Sequence, residues 1–304
     1  MKNSTFYRAI FAIIVVIAAY LASAVPPLYA QSEAVGAAKV RGLNPAKSLE
    51  QYVLDKWQME NGFQQTGIRA MLQPRDGYLW IGAAEGLTRF DGVRFVVFDK
   101  SNMPLKKNGV LALLEDRAGA LWIGTEDGLL CVRDGVFTMY GVKEGLPDYR
   151  INALCEDAQG NLWIGTDMGA TARRADGRFT NYTTANGLTS NTVLSLASDR
   201  QGGVWIGTSG GGVNHWAAGR IEAFVTIEGQ FRPYAPEDGL VGDGVYAMLC
   251  DADSRLWLGT SEGLLKIERY AATAFYTVNS GLKNPDVRAL ALDRENSLWI
   301  GTNG

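Results

Sequence analysis

The chain has 304 residues, of which 47% are hydrophobic and 20% are charged. This composition is too apolar for a disordered protein and is sufficient for a large buried core. The formal net charge is −3 and no long basic run occurs, so the sequence lacks the positive surface that nucleic-acid binding requires. Three widely spaced cysteines and a single histidine argue against a disulfide framework and a metal centre, and we expect no cofactor.

The first thirty residues are typical of an export signal. Two basic residues precede an uncharged apolar run over 9–25, and the small residue Ala30 stands before a polar segment. We expect residues 1–30 to be a cleaved signal peptide, with an uncleaved membrane anchor as the alternative. The remainder of the chain is then periplasmic or part of the cell envelope, and 31–48 is a linker.

One tetrad, Trp-Ile/Leu-Gly-Thr or a near copy, recurs six times along the chain. Its tryptophans are Trp80, Trp122, Trp163, Trp205, Trp257 and Trp299. A second motif, Gly-Leu or a variant of it, begins 18 residues before each tryptophan. One interval is 52 residues instead of 41 or 42, which places extra residues in the fourth unit, between Trp205 and Gly239. Two motifs in fixed phase establish an internal repeat.

Each unit has the pattern of four short strands, which we name A to D in chain order. In the second unit the apolar runs lie at 110–114, 121–125, 129–132 and 136–140. The segment Asp-x-x-Gly separates strands A and B, and Asp-Gly separates strands C and D. In the first of these turns we expect the aspartate to accept from turn amides and the fourth residue to be left-handed.

Repeats of about 42 residues with four strands and one tryptophan each predict an all-β fold, a β-propeller of four-stranded blades. The six tryptophans are predicted to pack between blades. Cys131, Cys155 and Cys250 are expected to be isolated buried thiols. The propeller occupies 49–304, and because the sixth unit lacks its outer two strands we expect an incomplete ring.

The segment from Gly145 to Thr166, which contains Gly-Leu, Asp-x-x-Gly-Asn-Leu and Trp-Ile-Gly-Thr, resembles the two-component regulator propeller repeat. The resemblance covers roughly residues 50–304, and the Gly-His and Trp-Asp signatures of WD-type repeats are missing. It implies the extracytoplasmic sensor domain of a bacterial membrane receptor, attached to the membrane and forming a homodimer in the intact receptor. The output domain in such receptors is a histidine kinase or a diguanylate cyclase. Because the sequence ends within a repeat, we expect a truncated sensor with no catalytic machinery of its own.

Two other functions remain open at this point: a protein-binding propeller scaffold, and a secreted propeller enzyme such as a lyase or a glycosidase. For the enzyme, Arg69, Arg150 and Arg288 lie near the starts of three A strands and are candidates for a carboxylate clamp, although repeat symmetry explains them equally well. The single histidine, His215, is expected to be a strand or loop residue.

Antiparallel strands place the D-to-A and B-to-C connections of every blade on one face, which we call the Gly-Leu face after the motif in its loops. Its side chains vary from blade to blade, as recognition requires. We predict that it binds a small molecule, with an oligosaccharide as the first choice. Tyr149 would stack on a sugar ring while polar neighbours bind its hydroxyls. The predicted contact residues are Lys106, Asp148, Tyr149, Arg150, Asn191 and Asp243.

Overall fold

The computed structural model describes residues 63, 65–105, 107, 109–210, 212–227, 230–233, 244–292 and 296–303. The predicted signal peptide (1–30) and linker (31–48) lie outside the described residues. Within the described part, β-strands form six separate antiparallel sheets, joined by turns and 3-10 turns. None of the described helical segments is long and apolar enough to cross a membrane.

Sheets 1 to 3 contain four strands each, in chain order across the sheet. Sheet 1 comprises β1 (Ile68–Leu72), β2 (Leu79–Ala83), β3 (Gly86–Phe90) and β4 (Phe95–Phe98). Sheet 2 comprises β5 (Val110–Glu115), β6 (Leu121–Thr125), β7 (Leu129–Arg133) and β8 (Val136–Tyr140). Sheet 3 comprises β9 (Ile151–Glu156), β10 (Leu162–Thr166), β11 (Gly169–Arg173) and β12 (Phe179–Tyr182).

Sheets 4 to 6 differ from one another in strand number. Sheet 4 comprises β13 (Val193–Ser198), β14 (Val204–Thr208), β15 (Gly212–Ala217), β16 (Arg220–Ile227) and β17 (Gln230–Pro233). Sheet 5 comprises β18 (Val245–Cys250), β19 (Leu256–Thr260), β20 (Leu264–Glu268) and β21 (Ala271–Tyr276). Sheet 6 comprises β22 (Val287–Leu292) and β23 (Leu298–Thr302).

Successive sheets pack face to face around their first strands. The A strands are β1, β5, β9, β13, β18 and β22, and each of the first five contacts the A strand of the next sheet, so the A strands form the inner edge of the assembly. Four of the five buried clusters in the described part lie between sheets, and one of these joins Trp163 and Ala170 of sheet 3 to Val193 and Ile206 of sheet 4. This arrangement confirms the predicted all-β propeller with four-stranded blades.

The fourth sheet departs from the four-strand prediction. The extra residues of the fourth unit lengthen β16 and add β17, and Ile227 pairs with Gln230 so that only two residues lie between the strands. Phe231 of β17 is 7% exposed and stacks on Phe224 of β16, with ring centroids 4.8 Å apart. The insertion therefore forms a fifth strand because its apolar residues have a buried surface to cover.

The glycine of the tetrad sets how closely neighbouring sheets approach. A Cβ built on Gly82, Gly124 or Gly259 would lie 2.5–2.8 Å from a γ-carbon of the first residue of the next A strand. Real Cβ atoms do not approach other carbons so closely, so glycine leaves space for that residue. The tetrad threonine is equally structural: Thr166 is fully buried and its hydroxyl donates to the Gly169 carbonyl at 2.8 Å.

The tryptophan column is part of the inter-sheet core, as predicted. Trp80, Trp122, Trp163 and Trp205 are at most 8% exposed, whereas Trp257 and Trp299 are partly buried. The exposure of the tetrad isoleucine differs more strongly between sheets, from 0% at Ile164 in sheet 3 to 38% at Ile300 in sheet 6. The expectation of an incomplete ring stays a prediction.

Candidate functional site

The D-to-A and B-to-C connections share one face, as the strand order predicted. Short 3-10 turns, Val142–Glu144 among them, end at the left-handed glycines Gly145, Gly187 and Gly281. The following leucines are anchors, since Leu146 and Leu188 are at most 4% exposed. The Gly-Leu motif is therefore a structural device that presents the residues after it.

Two columns of residues meet at the inner edge of the Gly-Leu face, and we call them the mouth. One residue precedes each A strand and its partner follows each B strand; the amides of Glu126, Ser209 and Asn303 donate to their partners' carbonyls at 2.9–3.0 Å. The pairs are Gly67 and Ala84, Gly109 and Glu126, Arg150 and Asp167, Thr192 and Ser209, Gly244 and Ser261, and Asp286 and Asn303. The backbone repeats while the side chains change, which is what selective binding requires.

Arg150 is the centre of a polar cluster at the mouth, which we call the Arg150 cluster: Glu126, Arg150, Asn152 and Asp167. Arg150 Nη1 lies 3.1 Å from Glu126 Oε1 of sheet 2, and its Nε donates to Asn152 Oδ1 at 3.1 Å. Asn152 Nδ2 donates to Asp167 Oδ1 at 2.7 Å. The side chains of Arg150, Glu126 and Asp167 are 31–42% exposed. The cluster is therefore ordered by its own contacts and still open to a ligand.

The predicted contact residues are only partly brought together. Tyr149 is 50% exposed beside Arg150, with its ring edge near Gly141, and is free to stack on a ligand. Asp148 Oδ1 accepts from the Tyr149 amide at 2.6 Å, and Asn191 Oδ1 accepts from the Thr184 amide at 2.8 Å, so both oxygens already order their loops. Two further predicted residues, Lys106 and Asp243, lie outside the described residues.

A second group of polar side chains lies at the mouth between sheets 5 and 6. The Arg288 guanidinium carbon is 3.6 Å from the centroid of the Tyr246 ring. Arg288 Nη2 donates to Asp286 Oδ2 at 2.8 Å, and Asn303 Nδ2 donates to the same oxygen at 3.0 Å. Both Arg288 and Asp286 are thus engaged within the protein.

The three arginines proposed for a carboxylate clamp do not occupy equivalent places. Arg150 precedes β9, whereas Arg69 and Arg288 are the second residues of β1 and β22. The residue of β9 that matches them is Asn152. Sequence reasoning missed Glu126, Asn152 and Asp167 as site residues. Counting from the tryptophan, 13 residues before it and four after it, locates the two columns of the mouth and with them Glu126 and Asp167, but not Asn152.

The opposite face carries the Asp-x-x-Gly turns, and their predicted structure is confirmed. Asp157 Oδ1 accepts from the amides of Gln159 and Asn161 at 3.0 and 2.8 Å, and Gly160 has φ +79°. Asp157 Oδ2 also accepts from the Trp163 indole at 2.9 Å. The equivalent bonds from Trp122 and Trp257 measure 2.8 and 2.9 Å. The aspartates therefore fix the turn and the tryptophan together.

The fourth sheet replaces the indole donor with histidine. His215, in β15, is 5% exposed, and its Nε2 lies 2.7 Å from Asp199 Oδ2. Its Nδ1 lies 3.3 Å from the hydroxyl of Tyr270 in sheet 5, and its ring stacks on Trp205 at 4.2 Å. Burial would raise the pKa of Asp199, but hydrogen bonds from His215, Gly203 and Gln201 outweigh it and lower that pKa. His215 thus joins two blades.

Acidic, cysteine and histidine side chains do not gather into a metal site in the described part of the chain: no group of three or more is arranged to hold an ion. The candidate site is therefore a hydrogen-bonding surface made of carboxylate, amide, guanidinium and aromatic groups.

Antiparallel sheets in series, with A strands innermost and one turn structure repeated, define a β-propeller built from sequence repeats. The chain contains the repeat of the two component regulator propeller family. The family matches five segments, each of which begins at a Gly-Leu motif or its variant and ends just after a tetrad: 104–127, 145–168, 187–210, 239–262 and 281–304. No curated protein matches the chain significantly.

Solved structures share the fold at low sequence identity. The extracellular domain of BT3049 from B. thetaiotaomicron, described as a hybrid two component system, is 20% identical with a TM-score of 0.57. The match covers 82% of this chain and 40% of that one, so this chain spans less than half of that extracellular domain. The similar extracellular domain of BT4673 from the same organism is 18% identical, with a TM-score of 0.52 and coverages of 79% and 38%.

A propeller enzyme is also structurally similar. Virginiamycin B lyase from Staphylococcus aureus, as a catalytically inactive variant with quinupristin, is 16% identical with a TM-score of 0.62, and the match covers 78% of each chain. At these identities the likeness establishes the propeller fold and not a shared reaction.

Proposed function

We propose that this chain is the extracytoplasmic ligand-sensing propeller of a bacterial signal-transduction receptor. It binds a small molecule, an oligosaccharide as the first choice, on the Gly-Leu face. The observation that carries the proposal is the mouth, where one repeated backbone frame holds side chains that differ from blade to blade. The family and the extracellular sensor domains of similar fold support the sensor role.

The chemistry of the Gly-Leu face around Arg150 suits a sugar. Tyr149 supplies a half-exposed aromatic ring, and saccharide rings stack on such rings through their apolar C–H faces. Next to it, Arg150 offers N–H donors, while Glu126 and Asp167 offer carboxylate acceptors. Aromatic and polar groups side by side on a largely preformed surface are typical of small-molecule sites.

Calorimetric titration against a panel of oligosaccharides tests this site. Tyr149→Ala and Arg150→Ala are each expected to weaken binding at least about tenfold, the loss of about one stacking or charged hydrogen-bond contact. The matched control on the opposite face is Arg178→Ala, which removes an exposed arginine and should leave the affinity unchanged. Binding that resists both site changes but is lost in Arg178→Ala would assign the ligand to the opposite face.

Signalling adds a second requirement. A ligand shifts an equilibrium between two receptor states only if it binds one of them more tightly. The mouth is made of loops from successive blades, so a bound ligand would favour one spacing of those blades or of two protomers. Membrane attachment, a homodimer and a kinase or cyclase output domain belong to the intact receptor in this proposal.

Export is tested separately. N-terminal sequencing of the protein from the cell envelope is expected to give Gln31 as the first residue. Intact protein that begins at Met1 and stays in the cytoplasm would contradict the proposed location.

The enzyme alternative centres on Asp199, His215 and Tyr270. Their arrangement resembles a proton relay, since His215 contacts a carboxylate through one ring nitrogen and a phenol through the other. The His215 ring, however, is buried and stacked on Trp205, and burial raises the pKa of the Tyr270 hydroxyl. We assign this triad to the junction between blades, and a turnover assay in which wild type but not His215→Ala acts would reverse that assignment.

A further inference from the structure

The hydrogen bonds of the Arg150 cluster determine which ligand groups it can still accept. The Nε–H and one Nη1–H of Arg150 donate to Asn152 and Glu126, which leaves the second Nη1–H and the two Nη2–H groups for a ligand. Both N–H groups of Asn152 Nδ2 already donate hydrogen bonds, one to Asp167 Oδ1 and one to the Val193 carbonyl at 3.0 Å. The protein therefore uses two of the five N–H groups of Arg150 and both of those on Asn152 Nδ2.

The acceptors of the cluster are less occupied. Arg150 binds Glu126 through Oε1, and no described residue donates to Glu126 Oε2. Asp167 Oδ2 lies 3.8 Å from Arg150 Nε, too far for a hydrogen bond. A ligand at this place meets two carboxylate oxygens and the unused N–H groups of one guanidinium.

The net charge of the cluster also favours ligands that carry no negative charge. One guanidinium stands against two carboxylates, so the cluster carries a net charge of −1 when all three are ionised. The three side chains are about one third exposed, where charges still interact but water screens them in part. A ligand carboxylate or sulfate would accept from one guanidinium and face two like charges. A hydroxyl pair could donate to a carboxylate and accept from Nη2 at once.

We propose that the Arg150 cluster makes this site selective for uncharged or amine-bearing saccharides against acidic ones. The inference rests on the proposed function and deepens it by naming the ligand class. An arginine in a binding site is usually expected to bind acidic ligands. Here the charge of Arg150 is already balanced by Glu126 and Asp167, and Arg150 holds these two carboxylates in place.

Three β-1,4-linked disaccharides test the proposal on the purified protein: cellobiose, the diamine disaccharide of glucosamine, and cellobiouronic acid. We expect the neutral and amine-bearing sugars to bind at least about tenfold more tightly than the acid at low salt, with a smaller difference at high salt. In the double variant Glu126→Gln, Asp167→Asn the charge of the cluster becomes +1 while its shape is kept. The preference should narrow at least tenfold or reverse in favour of the acid.

Glu262→Gln is the matched control, because Glu262 is exposed in the B-to-C loop of sheet 5 and is not part of the cluster. It changes the net charge of the same face and should leave the selectivity as in wild type. Thermal unfolding of each variant checks that it is folded. Equal or tighter binding of the acid to wild type overturns the inference, as does unchanged selectivity in the double variant. Failure of all three sugars to bind overturns the oligosaccharide proposal together with it, whereas binding without charge preference overturns only the selectivity.

Discussion

Gly165 of sheet 3 lies directly against Val193, the first residue of sheet 4: a Cβ built on the glycine would be 2.6 Å from Val193 Cγ1. The same close approach recurs between Gly124 and Ile151 of the preceding pair of sheets. The tetrad glycine therefore sets the distance between blades, and the residue that follows each Gly-Leu loop is placed by it. Core packing and the geometry of the mouth are coupled at this point.

Gly165→Ala is expected to destabilise the protein by about 1–3 kcal/mol, because the added methyl group must displace Val193 in a packed core. Gly165→Val should lower the free energy of unfolding further, because its side chain is larger. Urea unfolding followed by tryptophan fluorescence measures both. Gly141→Ala is the control, since Gly141 has φ −139° and its nearest neighbour would be 3.5 Å from the new Cβ. A midpoint for Gly165→Ala equal to that of the control would disprove the packing argument.

Asp157→Ala tests the turn aspartate. It removes the acceptor of the Trp163 indole and of two turn amides from a site where Asp157 is fully buried. We expect a loss of about 3 kcal/mol, since buried donors are left without partners. Asp176→Ala, in the exposed turn between strands C and D of the same sheet, should change the unfolding midpoint little. Similar unfolding midpoints for the two variants would show that the buried contacts of Asp157 stabilise the protein no more than the exposed contacts of Asp176 do.

Most of the fold could be predicted from the sequence because the same motifs recur at the same spacing in six units. Strand order, both turns and the buried tryptophans all follow from residues such as Trp163 and Asp157 that recur in phase. The fifth strand of sheet 4 was missed because it occurs once, so no second copy marks Phe231 as a strand residue. Its apolar character alone does not distinguish a strand from a loop.

The candidate site was less predictable for a physical reason. Loop position located Tyr149 and Arg150, but hydrogen bonds decide whether a polar residue is available. Asn191 is committed to the Thr184 amide, while Asn152, inside a strand, reaches the mouth and links Arg150 to Asp167. Contacts of this kind join residues from different strands and loops and leave no mark on local sequence.

The cysteines should be unreactive in the folded protein. Burial raises the pKa of the Cys131 and Cys155 thiols and raises that of Cys250 to about 12, so the reactive thiolate is scarce at pH 8. We expect iodoacetamide at pH 8 to leave all three unmodified in native buffer and to alkylate all three in guanidinium chloride. Mass spectrometry of peptides measures the difference. Cys131 and Cys155 are buried as predicted, whereas Cys250 is only partly buried. Rapid alkylation of Cys250 without denaturant would contradict the expected lack of reactivity.

Asp251 is expected to make the free energy of unfolding decrease as the pH falls. Burial would raise its pKa, but hydrogen bonds from the Trp257 indole and from Arg255 outweigh burial and lower it below the usual range. In the unfolded chain the carboxyl protonates near pH 3.9. In the folded chain it protonates only at lower pH, so the stabilisation is complete above about pH 4 and is lost as the pH falls further, through the folded pKa.

Asp251→Asn should therefore be less stable than wild type at pH 7, by about 1–3 kcal/mol. Its disadvantage should shrink below pH 4, because the wild-type carboxylate loses its advantage there and the amide does not titrate. Urea midpoints of both proteins at pH 7, 5 and 3 measure this convergence. Asp134→Asn is the control: Asp134 is an exposed turn residue with φ +51°, a conformation that asparagine adopts readily. Parallel pH profiles of wild type and Asp251→Asn would show that this buried carboxylate is not what acid removes.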